Sequence, residues 1–135
     1  MKRLSLVLLM VALLAMTIVP QIAQARVSDI IDNYNVKVEA LSDGRISAKA
    51  TATAAANTSK LGFPTILIQE YNGSSWVTKK TVSGKYGSGT DYSYTAYYQG
   101  TAGEKYRART SCTATFDGAT DTRPLKTSSN TVVGK

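Results

Sequence analysis

Three basic side chains lie two residues apart in the C-terminal part of the chain, at Lys105, Arg107 and Arg109. In a β-strand this spacing places all three on one face, at intervals of roughly 7 Å. Such a row can bind an anionic cell-wall or extracellular polymer, or it can serve only to keep the surface of the domain hydrated. No nucleic-acid-binding motif accompanies the charge, so we predict no nucleic-acid partner.

Two further lysines and two aromatic residues are candidates for the same kind of surface contact. Lys79 and Lys80 add positive charge to a predicted hairpin, while Trp76 and Tyr97, like Tyr71, are aromatic side chains expected to be exposed. A cross-strand pair between Tyr71 and Trp76 is the structural alternative for the aromatic residues near the turn. The candidate contact residues are therefore Trp76, Lys79, Lys80, Tyr97, Lys105, Arg107 and Arg109.

The residue types needed for common catalytic and metal sites are scarce. The chain has no histidine, which excludes Ser-His-Asp and Cys-His arrangements and histidine-based metal sites. Its single cysteine, Cys112, shares parity with apolar residues, so we expect a buried thiol rather than a reactive one. The acidic pairs Asp29/Asp32 and Asp117/Asp121 lack the ligand spacing of a calcium loop. We therefore predict no enzymatic activity, no metal and no cofactor.

Alternating apolar and polar residues predict that these side chains are positioned by β-strands throughout. Residues 34–40 and 46–54 alternate strictly, and Asn72-Gly73 is a typical hairpin turn. Residues 57–62 and 84–89 are polar or glycine-rich, which predicts connecting loops. The number and spacing of strands predict an all-β domain, a single antiparallel β-sandwich of about seven strands with a fibronectin type III or immunoglobulin-like architecture.

Tyrosines are concentrated in the second half of the predicted domain. Tyr92, Tyr94 and Tyr98 share a face, and strands rich in alanine must pack opposite large side chains if the core is to be dense. We therefore expect these three tyrosines in the core, with hydroxyl groups near its rim. The alternative is an exposed aromatic platform for a glycan or a partner.

The N-terminus has the pattern of a secretory signal peptide. Positively charged Lys2-Arg3 precedes an apolar run over residues 6–16, and Ala23-Gln24-Ala25 supplies the small residues of a cleavage site. Cleavage between Ala25 and Arg26 would separate residues 1–25, the signal peptide, from residues 26–135, the β-sandwich domain. The apolar run is short for a transmembrane anchor, so we expect a secreted protein with no transmembrane segment after processing.

Two resemblances refine this interpretation. Residues 103–109, Gly-Glu-Lys-Tyr-Arg-Ala-Arg, resemble the sixth strand of fibronectin type III and immunoglobulin-like sandwiches, in which a tyrosine (here Tyr106) hydrogen-bonds to the preceding corner. Residues 60–62, 66–77 and 100–106 resemble a family of small secreted proteins of Gram-positive bacteria, catalogued only as a domain of unknown function. That resemblance implies a bacterial, extracellular β-sandwich and identifies no binding or catalytic residue.

These observations favour a non-enzymatic module that adheres to an extracellular or cell-envelope polymer or surface. The alternative is a structural or self-associating extracellular protein, and an enzyme is the third and least supported hypothesis. The sequence indicates no oligomeric state.

Overall fold

A computed structural model describes residues 29–135 of the chain. The predicted signal peptide and the Ala25–Arg26 cleavage site lie outside these residues. The described part is all-β, as predicted, and contains six strands. Their bounds are β1 (Ile31–Ala40), β2 (Arg45–Tyr71), β3 (Trp76–Gln99), β4 (Lys105–Phe116), β5 (Ala119–Thr127) and β6 (Thr131–Val132).

All strand pairs are antiparallel, and the two longest strands bend so that one sheet curls into two packed halves. Half-sheet A consists of β1, residues 45–54 of β2 and residues 91–99 of β3. Half-sheet B consists of residues 60–71 of β2, residues 76–89 of β3, β4, β5 and β6. The described residues form six strands rather than about seven. β2 and β3 each combine two predicted strands, and the polar residues 119–127 form an additional strand, β5, that the sequence did not predict.

The bend corrects the prediction of loops at residues 57–62 and 84–89. These segments belong to β2 and β3 and pair with each other through irregular register shifts. The hydroxyl of Thr58 donates to the carbonyl of Gly89 at 2.6 Å, and a β-carbon at Gly62 would lie only 2.1 Å from the carbonyl oxygen of Lys85. Small residues at this position therefore permit close backbone approach within a ladder, rather than a loop.

The inner faces of the two half-sheets share one apolar core. Ala48 and Ala50 are fully buried, and Tyr92, Tyr94 and Tyr98 pack against the core as predicted. The ring of Tyr98, on half-sheet A, lies 6.1 Å from the ring of Tyr106, on half-sheet B. Large tyrosine rings therefore fill the space left by small alanine side chains, which keeps the interior dense.

Tyr106 forms the corner expected from its sequence context. Its side chain is fully buried, and the backbone N–H of Thr101 donates to its hydroxyl oxygen at 2.9 Å. The same hydroxyl donates to the carboxylate of Glu70. The tyrosine thus joins β4 to the preceding turn and to β2.

Side chains, rather than a backbone ladder, join the edges of β1 and β5. The buried carboxylate of Asp121 accepts a hydrogen bond from the Ile31 N–H at 3.0 Å and pairs with Arg123. The Tyr34 hydroxyl donates to the Pro124 carbonyl at 2.7 Å, and the Lys126 ammonium donates to the Tyr34 carbonyl. We refer to the contact between Asp121 and Ile31 as the seam, because it holds the outermost strands of the two half-sheets together.

Candidate polymer-binding surface

The three cations of the sequence-predicted row lie on the outer face of β4. Their neighbours Tyr106 and Ala108 are fully buried, whereas Lys105 is exposed and Arg107 and Arg109 are half-buried. The spacing of two residues therefore places the basic side chains on one side of the strand, at intervals of roughly 7 Å. We call Lys105, Arg107 and Arg109 the basic row.

Arg107 is held by side chains from two neighbouring strands. Its guanidinium carbon lies 4.4 Å from the centre of the Trp76 ring, and its Nε donates to Gln69 Oε1 at 2.8 Å. Gln69 is only 7% exposed, and its Nε2 donates to the hydroxyl of Thr78 at 3.2 Å. The amide of Gln69 is therefore hydrogen-bonded at both ends, so Arg107 receives a fixed acceptor as well as an aromatic surface.

The other two cations are supported in a similar way. Arg109 Nε donates to the hydroxyl of Thr127 on β5 at 3.0 Å, and the Lys105 ammonium lies 5.4 Å from the Tyr71 ring. The rings of Tyr71 and Trp76 are 5.2 Å apart, which is the cross-strand pair considered as the alternative for these residues. The outer face of half-sheet B thus presents a continuous band of cations over aromatic and polar side chains.

Sequence reasoning missed several of these supporting residues. Gln69, Thr78 and Thr127 have no unusual spacing, and their role depends on register, which pairs Gln69 with Arg107 and Thr127 with Arg109. Tyr71, which is also expected to be exposed, contacts Lys105 as well as Trp76. The one available signal was the parity of Gln69, which places it on the outer face of the strand following Pro64.

No carboxylate of residues 29–135 lies within ion-pair distance of the basic row. Among residues 29–135, the ion pairs within 4.0 Å are Arg45–Asp43, Lys79–Glu70 and Arg123–Asp121, and none involves the row. Partial burial and the neighbouring charge of Arg109 lower the pKa of the Arg107 guanidinium from its usual value. The positive charge of Arg109 thus disfavours the charged form of Arg107, and a bound anion would relieve that repulsion.

Lys79, Lys80 and Tyr97 are not brought together with the basic row. The Lys79 ammonium lies 4.0 Å from Glu70, a residue that faces the interior beside Tyr106, and Lys80 donates to the Tyr97 carbonyl at 2.7 Å. The Tyr97 side chain is 44% exposed, but it lies on half-sheet A beneath the Arg45 guanidinium. The register of β2 and β3 shifts at this point, since Ile68 pairs with Lys80 and Gln69 with Thr78, which leaves Lys79 without a direct partner in the ladder. Of the candidate contacts outside the row, only Trp76 joins it.

Cys112 lies on the inner face of β4 and is fully buried, as its parity predicted. Burial, together with the charge of Asp121, raises the pKa of its thiol to about 12. The thiol is therefore protonated at neutral pH and shielded from reagents. Residues 29–135 contain no group of three or more metal-ligating side chains.

The described region contains no helix of the length and apolar character needed to cross a membrane. No family model matches the chain, and no curated protein or solved structure matches it significantly. The functional argument therefore depends on the geometry and charge of the outer face of half-sheet B.

Proposed function

We propose that this chain is a secreted, non-enzymatic binding module for an anionic extracellular or cell-envelope polymer. The observation that carries the proposal is the basic row, whose three cations share one exposed face without a carboxylate neighbour among residues 29–135. The extracellular setting follows from the predicted signal peptide. The family resemblance implies a bacterial source.

The arrangement of the row suits a long ligand better than a small one. Lys105, Arg107 and Arg109 extend along β4, so one polymer chain could contact all three in succession. Several weak charge contacts on one chain act together, because each contact raises the effective concentration of the next anionic group. Such binding needs no deep pocket.

The aromatic residues beneath the cations favour binding at a modest entropic cost. Contacts between Lys105 and Tyr71, and between Arg107 and Trp76, restrict long side chains before any ligand arrives. Association normally costs about 0.5–1.5 kcal/mol for each flexible side chain that becomes immobilised. Side chains ordered in advance reduce that cost.

The test is co-sedimentation of the mature domain with a purified anionic wall polymer over a range of salt concentrations. Wild-type protein should bind at low salt and elute as the screening length falls from about 10 Å at 0.1 M to about 3 Å at 1 M. Replacing Lys105, Arg107 and Arg109 by Gln should abolish binding. The matched control replaces Lys37, Arg45 and Lys49, three exposed cations of half-sheet A, by Gln and should retain binding.

Two results would contradict the proposal. One is equal binding by the two triple variants, which would make the contact a property of net charge alone. The other is wild-type binding that does not respond to salt.

One observation favours the alternative of a self-associating protein. β3 spans 24 residues and pairs only with β2, so its outer edge has no ladder partner among residues 29–135. Unpaired edges can accept a strand from another molecule. The positive charges of Lys79, Lys80 and Lys85 oppose such pairing. In addition, the Lys80 ammonium already donates a hydrogen bond to the Tyr97 carbonyl of this strand. Self-association would appear as a concentration-dependent mass in light scattering, unaffected by the basic-row substitutions.

A further inference from the structure

Arg107 and Arg109 use the same part of the guanidinium group for contacts within the domain. Each donates through Nε to a side-chain oxygen on a neighbouring strand, Gln69 for Arg107 and Thr127 for Arg109. Within residues 29–135, neither arginine forms an ion pair or a hydrogen bond through its terminal Nη atoms. Both therefore retain a pair of adjacent N–H donors for a ligand.

The fixed Nε determines which edge of each guanidinium remains available. The group is planar and carries five N–H donors in a rigid fork. With Nε occupied, the remaining edge that can form two parallel hydrogen bonds is the one between Nη1 and Nη2. For Arg107 the guanidinium carbon also lies over the Trp76 ring, 4.4 Å from its centre. The guanidinium is thus held by two contacts, one to Gln69 and one to Trp76.

We propose that Arg107 and Arg109 form two fixed guanidinium forks, and that the surface selects polymers whose oxyanion groups each accept two parallel N–H bonds. The suitable groups are phosphodiesters, sulfate esters and carboxylates, repeated along a chain at roughly the 7 Å spacing of the two arginines. This inference rests on the proposed function, since it specifies how the same surface recognises its ligand. It distinguishes geometric recognition from simple attraction between opposite charges.

Gln69 is the positioning residue of this arrangement. It does not contribute charge, and its buried side chain is anchored to Thr78 while its oxygen orients Arg107. Thr127 has the equivalent role for Arg109, although that contact is more exposed. Removal of the Gln69 oxygen would leave the charge of Arg107 intact and remove the acceptor that orients its guanidinium.

The first experiment replaces both arginines by lysine, Arg107→Lys and Arg109→Lys, which conserves charge and removes the forks. Affinity would be measured for polyglycerol phosphate, dextran sulfate and polyglutamate, and the polymers that bind wild-type protein identify the source of the oxyanion. We expect the double variant to lose about tenfold in affinity for each such polymer, the equivalent of one charge-assisted hydrogen bond. Arg45→Lys, on half-sheet A, is the matched control and should bind like wild type.

Equal affinity of wild type and the double lysine variant would overturn the fork inference but leave the proposed function intact. Failure of wild-type protein to bind any of the three polymers would overturn both. The triple Gln variant of Lys105, Arg107 and Arg109 tests the proposed function alone, because its loss of binding depends on charge and not on fork geometry.

The second experiment tests Gln69 by a double-mutant cycle. Gln69→Met preserves side-chain length without an oxygen acceptor, and thermal unfolding would establish that the variant is folded. If Gln69 acts through Arg107, Arg107→Lys should weaken binding several-fold in the wild-type background and have little further effect in the Gln69→Met background. A purely structural role for Gln69 would instead leave the two effects independent, which would overturn its assignment as a positioning residue.

Discussion

The outer faces of half-sheets A and B are both formed by antiparallel strands but differ in their distribution of charge. On half-sheet A, Lys37 lies opposite Lys49, while Glu39 and Asp91 occupy the same outer face. The remaining outward positions include small polar side chains such as Thr51. Mixed charges of this kind are typical of a soluble surface.

Half-sheet B separates the two signs of charge. Glu70 and Asp121 are the acidic residues carried by its strands, and both are directed inward, toward Tyr106 and Ile31 respectively. The charged side chains that remain on the outer face of its strands are all cations. Because an electrostatic surface depends on where charges lie as well as on their number, the comparison explains why only half-sheet B is a candidate for binding an anionic polymer.

The largest effect is expected at the seam, which joins the two half-sheets. Asp121→Ala should lower the free energy of unfolding by about 2 kcal/mol, since the buried Ile31 N–H loses its acceptor and an ion pair is removed. Chemical denaturation would measure the change. Asp43→Ala removes an exposed ion pair with Arg45 on half-sheet A and should have little effect. Similar destabilisation by both substitutions would show that the seam has no special role.

A second prediction concerns a variant that adds a carboxylate to the outer face of half-sheet B, so that both outer faces carry mixed charges. Thr127→Glu would place a carboxylate beside Arg109, where the Thr127 hydroxyl now accepts from Arg109 Nε. It should reduce affinity for the anionic polymer about tenfold, since a new internal partner competes with the ligand. Thr51→Glu makes the same charge change on half-sheet A. Co-sedimentation would compare the two, and equal losses would refute the localisation of binding to half-sheet B.

At neutral pH the smallest predicted effect is that of the buried thiol on the inner face of β4, because this effect appears only as pH rises. The thiol of Cys112 has a pKa of about 12 in the folded protein against 9.0 for an unperturbed group. Between these values the unfolded chain releases a proton that the native protein retains, so stability should decline as pH rises from about 9 toward 12. Denaturation of wild type and Cys112→Ala across this range would isolate the thiol's contribution. A parallel pH dependence of the two proteins would contradict it.

Labelling of Cys112 provides a further check of the same feature. A thiol-specific reagent should react slowly with the native protein and rapidly after denaturation, because the side chain is fully buried. Rapid labelling of the native protein would show that β4 exposes its inner face.

Local patterns in the sequence were sufficient to predict several elements of this structure. Alternation predicted that Lys105, Arg107 and Arg109 face away from Cys112, since side-chain direction in a strand has a period of two. The same reasoning, combined with volume, placed Tyr92, Tyr94 and Tyr98 against the core. The corner role of Tyr106 followed from its resemblance to a known strand and was confirmed by its contact with Thr101.

Other features depend on which strands become neighbours, and the sequence alone did not determine them. Residues 57–62 and 84–89 resemble loops locally but form ladders, because each segment supplies the other's partners. The hydrogen bond from Arg107 to Gln69 depends on the register of β2 and β4, which pairs residues 38 positions apart. The ion pair of Lys79 with Glu70 depends on a shift in the register of β2 and β3. The sequence thus determined the direction of the cationic side chains, whereas tertiary pairing decided which of them are oriented, neutralised or available to a ligand.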